Sequence, residues 1–228
     1  MINRTIRLLI LSFILFSSIG YSQEQAVRLG LKISPNLTWM NPNEKNYTNN
    51  GVAAGVSFGF VSEFRLADHY AIVTGFDFAF LGGYLKFPYA KSPDTGIMDR
   101  KYNFRYLDIP LMIKMKTKEY GNFRFFGQIG FSTGFLLRTQ VTDNFNTQLH
   151  GSISDKGNLT TSEVCFFREA VMAGLGAEYK IDESLSLVIG LSYSNSLNNV
   201  LQGKNTKDNS LDNRSSLNYA ELNIGILF

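Results

Sequence analysis

The stretch YLDIPLMIKMK, residues 106–116, alternates with period two. Leu107, Ile109, Leu111, Ile113 and Met115 fall on one side of an extended chain, and Tyr106, Asp108, Pro110, Met112, Lys114 and Lys116 on the other. Successive side chains of a strand point to opposite faces, so the segment has one apolar face and one face carrying both signs of charge. Which face meets water decides the fold. In a soluble sandwich or a lipocalin-like barrel the apolar face is the core; in a membrane barrel it faces lipid and the charges are enclosed.

The pattern repeats along the chain in eight segments, roughly 27–39, 51–64, 70–87, 104–116, 123–139, 163–179, 185–196 and 216–228. Most reach the ~9–11 residues a tilted strand needs to cross a bilayer. In the first, Val27, Leu29, Leu31, Ile33, Leu37 and Trp39 alternate with Arg28, Gly30, Lys32, Ser34, Asn36 and Thr38. In the sixth, Glu169 falls in phase with Phe167 and Val171, which predicts a bulge or a strand start above the membrane. Pro110 lacks a ladder donor, which predicts a bulge or a distortion in its strand.

Connection lengths alternate as well. Long polar stretches such as PYAKSPDTGIMDRKYN (88–103) and QVTDNFNTQLHGSISDKGNLTT (140–161) take turns with RLADH, TKEYGN and KIDES. Short turns at one end, long loops at the other and an even strand number are the form of an outer-membrane barrel. Three further features place the apolar face outward. The polar face is rich in small residues (Ala53, Gly55, Ser57, Gly59; Gly130, Ser132, Gly134) that fit a narrow eight-stranded interior. Large aromatics, among them Trp39, Phe64, Tyr70, Phe78, Phe80, Phe123, Phe135 and Tyr193, sit near segment ends as interfacial girdles do. The last segment, AELNIGILF, ends on a bare Phe228, as expected of a closing strand whose final ring lies in the membrane interface. The expected fold is therefore all-β, an eight-stranded antiparallel up-and-down transmembrane barrel.

This orientation encloses Arg28, Lys32, Glu63, Asp77, Asp108, Lys114, Arg124, Glu178 and Glu221. Buried charges need partners, and four basic against five acidic groups allow near-complete pairing. The expectation is a salt-bridged plug, because an eight-stranded interior is only just wide enough for its own side chains. The run KMKTK (Lys114, Lys116, Lys118) lies at a short turn, where it reads as an anchor to lipid phosphates.

Residues 1–22 have the parts of a secretory signal: Arg4 and Arg7, an apolar run from Leu8 to Phe16, and small residues ahead of Gln23. Residues 23–228 then form one barrel domain. Of 22 basic and 19 acidic residues, the signal takes two basic ones, and the near-neutral remainder gives no basis for nucleic-acid binding. One cysteine, Cys165, excludes an internal disulfide. No metal, phosphate or dinucleotide motif is present. The one grouping of catalytic residue types, Asp143, His150, Ser152, Ser154 and Asp155, lies in a single long loop; a triad is defined by geometry, and such residues are common in loops.

FRYLDIPLMIKMKT (104–117), with RLGLKISPNLTWM (28–40) before it and FRFFGQIGFSTGFLL (123–137) after it, resembles the PorT family of outer-membrane barrels of Bacteroidetes. The carrying motif is Tyr106, Leu107, Asp108, Ile109, Pro110 and Leu111. The resemblance implies an accessory of type IX secretion and gliding motility, without cofactor or catalytic residues. Its partners would be outer-membrane lipid, other secretion proteins and, during biogenesis, the insertion machinery that takes up a terminal aromatic strand ending in Phe228. The alternative is a stand-alone small barrel whose long loops bind a ligand or a surface partner.

Overall fold

A computed structural model describes residues 26–91, 94–147, 151–158, 163–205 and 207–228. The expected signal and His150 lie outside the described residues. The described residues form ten strands: β1 (Val27–Pro42), β2 (Thr48–Asn49), β3 (Ala53–Ala67), β4 (Tyr70–Lys91), β5 (Asp94–Lys116), β6 (Phe123–Thr147), β7 (Gly151–Asn158), β8 (Phe167–Lys180), β9 (Ser186–Ser196) and β10 (Ser215–Leu227). Eight pair antiparallel, each with its neighbours, in the cycle β1, β3, β4, β5, β6, β8, β9, β10. Pairing of β10 with β1, from Gly30↔Leu227 to Pro42↔Ser215, closes the ring. Leu29 and Phe228 exchange two backbone hydrogen bonds at 2.9 and 2.7 Å, so the closure extends to the last residue. The two short strands extend the sheet: β2 pairs with β4 and β7 with β6.

Closure removes both sheet edges and satisfies the backbone within the protein, as a membrane interior demands. The side chains then divide as the alternation predicts. Leu31, Ile33, Leu111, Ile113, Leu175 and Leu191 stand on the outer face, more than half exposed, which suits acyl chains and would be costly in water. Aromatic pairs rim this belt: Phe123 and Tyr179 at 4.9 Å toward the short turns, Trp39 and Tyr193 at 6.0 Å and Phe135 and Phe167 at 5.5 Å toward the long loops.

The expectations at Pro110 and Glu169 are met without a bulge, the first by a gap in one ladder and the second by a strand start. No residue is inserted at Pro110: its register with Ser132 on β6 is regular, and pairing with β4 lapses only opposite Ile109 and Pro110. Pro35 does the same on the β1–β10 seam, where pairing lapses between Ile33 and Asn36. Each proline is thus accommodated by a gap in one ladder while the other runs on. No bulge marks Glu169 either, since the β6–β8 register is unbroken from Phe123↔Tyr179 to Phe135↔Phe167. Glu169 lies near the start of β8 and accepts a hydrogen bond from Thr133 at 2.8 Å. The bulge is on β6, where Arg105 pairs with Arg138 and Tyr106 with Leu136, leaving Leu137 as the extra residue.

The largest departure is strand length. At about 3.4 Å per residue, the 25 residues of β6 extend far past an apolar band about 25 Å tall. Much of what reads as loop in 88–103 and 140–158 is strand: β4, β5, β6 and β7 rise as a wall beyond the belt on one side of the ring. Inside the upper barrel and along this wall, Met40, Leu81, Leu85, Phe87, Met98, Tyr102, Phe104, Tyr106, Val141, Phe145 and Leu217 form an apolar core, closed by Tyr47, Val164, Val200 and Leu201 from the loops.

Candidate functional site

Three tiers of ion pairs fill the lumen below that core. In the lowest, Lys114 donates to Glu63 at 2.8 Å and to Glu178, while Lys116 donates to Glu63 and lies 3.2 Å from Glu178. Arg28 adds a 3.0 Å bond to Glu178. These residues come from β1, β3, β5 and β8, so the cluster crosses the lumen. Lys114 Nζ also lies 4.1 Å from the centroid of the Phe126 ring. The middle tier joins Lys32 to Asp77 at 2.9 Å and Glu221 at 4.0 Å, and Ser192 donates to Glu221 at 2.9 Å. In the upper tier Arg168, wholly buried, donates to Asp108 at 3.2 Å, Ser196 at 2.9 Å and Ser194 at 2.6 Å, with Tyr219 donating to the same carboxylate at 3.3 Å.

Glycines make this packing sterically feasible. Asp77 and Asp108 are register partners on β4 and β5, an arrangement in which like charges repel. They lean apart: a Cβ on Gly59 would lie 2.3 Å from Asp77 Oδ1, and one on Gly134 would lie 2.3 Å from Asp108 Oδ1. Each carboxylate then meets its own cation, Lys32 from β1 or Arg168 from β8.

Eight of the nine expected lumen charges are placed in this network. The exception is Arg124, which points to the short-turn rim and bonds Glu119 at 2.8 Å, both partners partly exposed. Two cations were not in the expected set. Lys116 sits in the lowest tier with a side chain only 7% exposed, so Lys114 and Lys116 of the KMKTK run bind carboxylates within the barrel instead of lipid phosphate. Arg168 is marked in the sequence by its alternation with Phe167 and Glu169, which puts it on the lumen phase. With these corrections the tiers hold Arg28, Lys32, Lys114, Lys116 and Arg168 against Glu63, Asp77, Asp108, Glu178 and Glu221, five of each sign. A cavity of about 70 Å³ separates the lowest and middle tiers, lined in part by Lys32, Asp77, Met112, Lys114, Phe126 and Glu221. With charged tiers below and beside it and the apolar core above, it is a small pocket within a plugged lumen.

The motif Tyr106–Leu111 spans the boundary between charge and core. Tyr106 is buried in the upper core, Asp108 holds Arg168, Pro110 faces its ladder gap, and Leu107, Ile109 and Leu111 lie outward. At the long-loop end, Tyr47 OH bonds Asn213 and accepts from Asn205 at 2.6 Å, and Asn205 also donates to the Pro88 carbonyl at 3.0 Å, tying the β1–β3 and β9–β10 connections to the upper part of β4. Above them is an open polar groove of about 490 Å³, lined by Cys165, Asn198, Gln202, Lys204, Asp212 and Arg214. Asp212 accepts from Lys204 at 2.5 Å and from Arg214 at 2.8 Å; the hydrogen bond from Lys204 holds its carboxyl below the usual carboxylate range.

The grouping of catalytic residue types is not assembled by the described residues. Both oxygens of Asp143 are taken by Arg100 at 2.6 Å on the inner side of the wall, whereas Ser154 and Asp155 are exposed on β7. Among the described residues no group of three or more His, Cys, Asp or Glu could hold a metal.

A family model for the outer membrane protein beta-barrel domain matches residues 21–202. Among solved structures, Neisserial surface protein A is 12% identical with a TM-score of 0.47, over 90% of this chain and 98% of that one. OprG from Pseudomonas aeruginosa is 11% identical (TM-score 0.45; 90% and 97% covered), and Ail from Yersinia pestis 12% (TM-score 0.39; 90% and 100%). These likenesses are distant. No curated protein matches the sequence. A closed ring of eight strands, an apolar outer belt and a family match over most of its length agree: the chain belongs to the outer membrane protein beta-barrel domain family, and its place is the outer membrane of a Gram-negative bacterium.

Proposed function

We propose that this barrel is a non-enzymatic component of type IX protein secretion that acts by contact and not as a conduit. The observation that carries this reading is the plugged lumen taken with the PorT-like motif. Five ion-paired cations and anions and an apolar core fill the ring, so a role in export falls to the outer surfaces, the short turns and the cap. The chain would be delivered by a signal cleaved ahead of Gln23 and inserted by machinery that takes up the strand ending in Phe228. Deleting the gene tests the role directly. Loss of exported cargo with an intact envelope, restored by the wild-type gene, is the expected outcome; normal export contradicts it. Co-purification from detergent-solubilised envelopes is expected to bring down secretion proteins.

The open groove at the cap favours a second reading, a stand-alone barrel that binds a ligand or surface partner through its loops. Under that reading Lys204→Gln and Arg214→Gln abolish surface binding while export stays normal. A loop hydrolase would require His150 and Ser152, and their replacement by Ala is expected to leave every phenotype unchanged.

A further inference from the structure

The outer face of the β4–β6 wall changes character in one step. Leu107 ends the unbroken aliphatic run of the outer row of β5, and the next residues on that face are Arg105, Asn103, Lys101 and Asp99, with Ile97 beyond them. Arg105 stands in register with Phe80 on β4 and Arg138 on β6; Lys101 stands in register with Tyr84 and Thr142. The guanidinium carbon of Arg105 is 5.5 Å from the centroid of the Phe80 ring, and Lys101 Nζ is 5.5 Å from that of Tyr84. Without the extra residue at Leu137, Arg138 would fall on the inner phase, toward the apolar core; the bulge places it outside, opposite Arg105. One step higher, Lys86 lies 3.9 Å from Asp99, whose carboxylate also accepts from Asn50 at 2.7 Å. At comparable height β1, β8 and β9 present Trp39, Phe167, Glu169 and Tyr193. Among the described residues the cationic step lies on one side of the barrel.

We propose that Arg105 and Lys101 form a binding site for the phosphate groups of the outer-leaflet lipid. Arg105 lies about 7 Å along the strand from the last lipid-facing aliphatic residue, at the level of the headgroups. The patch is continuous with the apolar belt, so a lipid whose chains lie on Leu107 and Phe80 brings its headgroup to these cations. A guanidinium offers a fixed fork of donors that matches phosphate. The Phe80 and Tyr84 rings hold the two cations against the wall, leaving their outer sides for an anion. The site fixes one lipid at one side of the barrel and gives the protein a preferred orientation toward its lipid neighbours, independently of any role in secretion.

The test uses the full chain in detergent micelles. Retention of a diphosphorylated glucosamine lipid, of its dephosphorylated form and of inorganic phosphate is followed by native mass spectrometry. The wild type is expected to retain the phosphorylated lipid in preference to the dephosphorylated one, and millimolar inorganic phosphate is expected not to displace it. The Lys101→Gln/Arg105→Gln double variant is expected to bind it roughly tenfold more weakly, whereas Lys118→Gln, at the opposite end of the barrel, leaves binding unchanged. Gel mobility of unheated samples verifies folding. Should the double variant misfold, Arg105→Gln alone is used, with an expected loss of a few fold. Equal retention by a folded variant, an equal loss in Lys118→Gln, or displacement by inorganic phosphate would each overturn the proposal.

Discussion

Along β5 the chain changes solvent without changing direction. From Met115 to Leu107 its outer face is aliphatic, and its inner face carries Lys114, Met112 and Asp108. From Arg105 to Asp99 the outer face is polar, and Tyr106, Phe104, Tyr102 and Met98 are buried inside. The lower barrel is ordered for a surrounding of lipid, with charges enclosed because they can pair there; the upper wall is ordered as a soluble sheet is, with its apolar side chains turned in. Tyr106 and Leu107, adjacent and both apolar, mark the crossover. On β6 the same crossover is made by a bulge. The two halves differ in what holds them, a hydrogen-bonded ion network below and apolar packing above, and this difference can be broken one half at a time.

The most damaging change in the lower half should be Arg168→Ala, which leaves the Asp108 carboxylate buried and uncompensated. A loss of about 3–5 kcal/mol is expected, read by denaturant unfolding in lipid vesicles through Trp39 fluorescence, and Arg168→Met with Asp108→Asn should recover much of it. In the upper half Phe104→Ala is expected to cost a similar ~3–5 kcal/mol through the cavity it opens, with no partner substitution among the charges able to restore it. An outer-face contrast comes next. Leu111→Arg should cost about 2–4 kcal/mol in the bilayer, whereas Asn103→Arg, four pairs higher on the same face, should stay within about 0.5 kcal/mol. The smallest pair concerns the basic run: Lys116→Gln, which strips partners from Glu63 and Glu178, is expected to cost about 1–3 kcal/mol. The exposed Lys118→Gln should be near neutral, within about 0.5 kcal/mol.

Much of the lower half was legible in the sequence, because period-two alternation with long apolar rows survives any local rearrangement. The ring of eight, its closure through the last strand and eight of nine lumen charges follow from it. Arg124 and Lys116 were misassigned for one reason: at a strand's end, alternation gives the side but not whether a long side chain reaches inward or out to the rim. The upper wall was hidden by the inversion. In DRKYNFRY the aromatic residues alternate as regularly as elsewhere, and in QVTDNFN Val141 and Phe145 share one phase, but among Asn, Asp, Lys and Thr they resemble loop composition when an aliphatic row is the expected mark of a strand. At Pro110 the expectation of a bulge or a distortion resolves to the milder form, since a single missing donor needs only a gap in one ladder and no inserted residue.

The account stands or falls on which side of each half meets lipid. Single cysteines introduced in turn from residue 101 to 115 of β5, in a Cys165→Ser background, can carry a fluorophore whose quenching is compared between nitroxide on lipid chains and a water-soluble quencher. Lipid quenching is expected at 107, 109, 111, 113 and 115 and not at 108, 110, 112 or 114, giving way to quenching from water at 103 and 101. Lipid quenching of the even positions, or lipid quenching that continues unchanged up to 101, would contradict it.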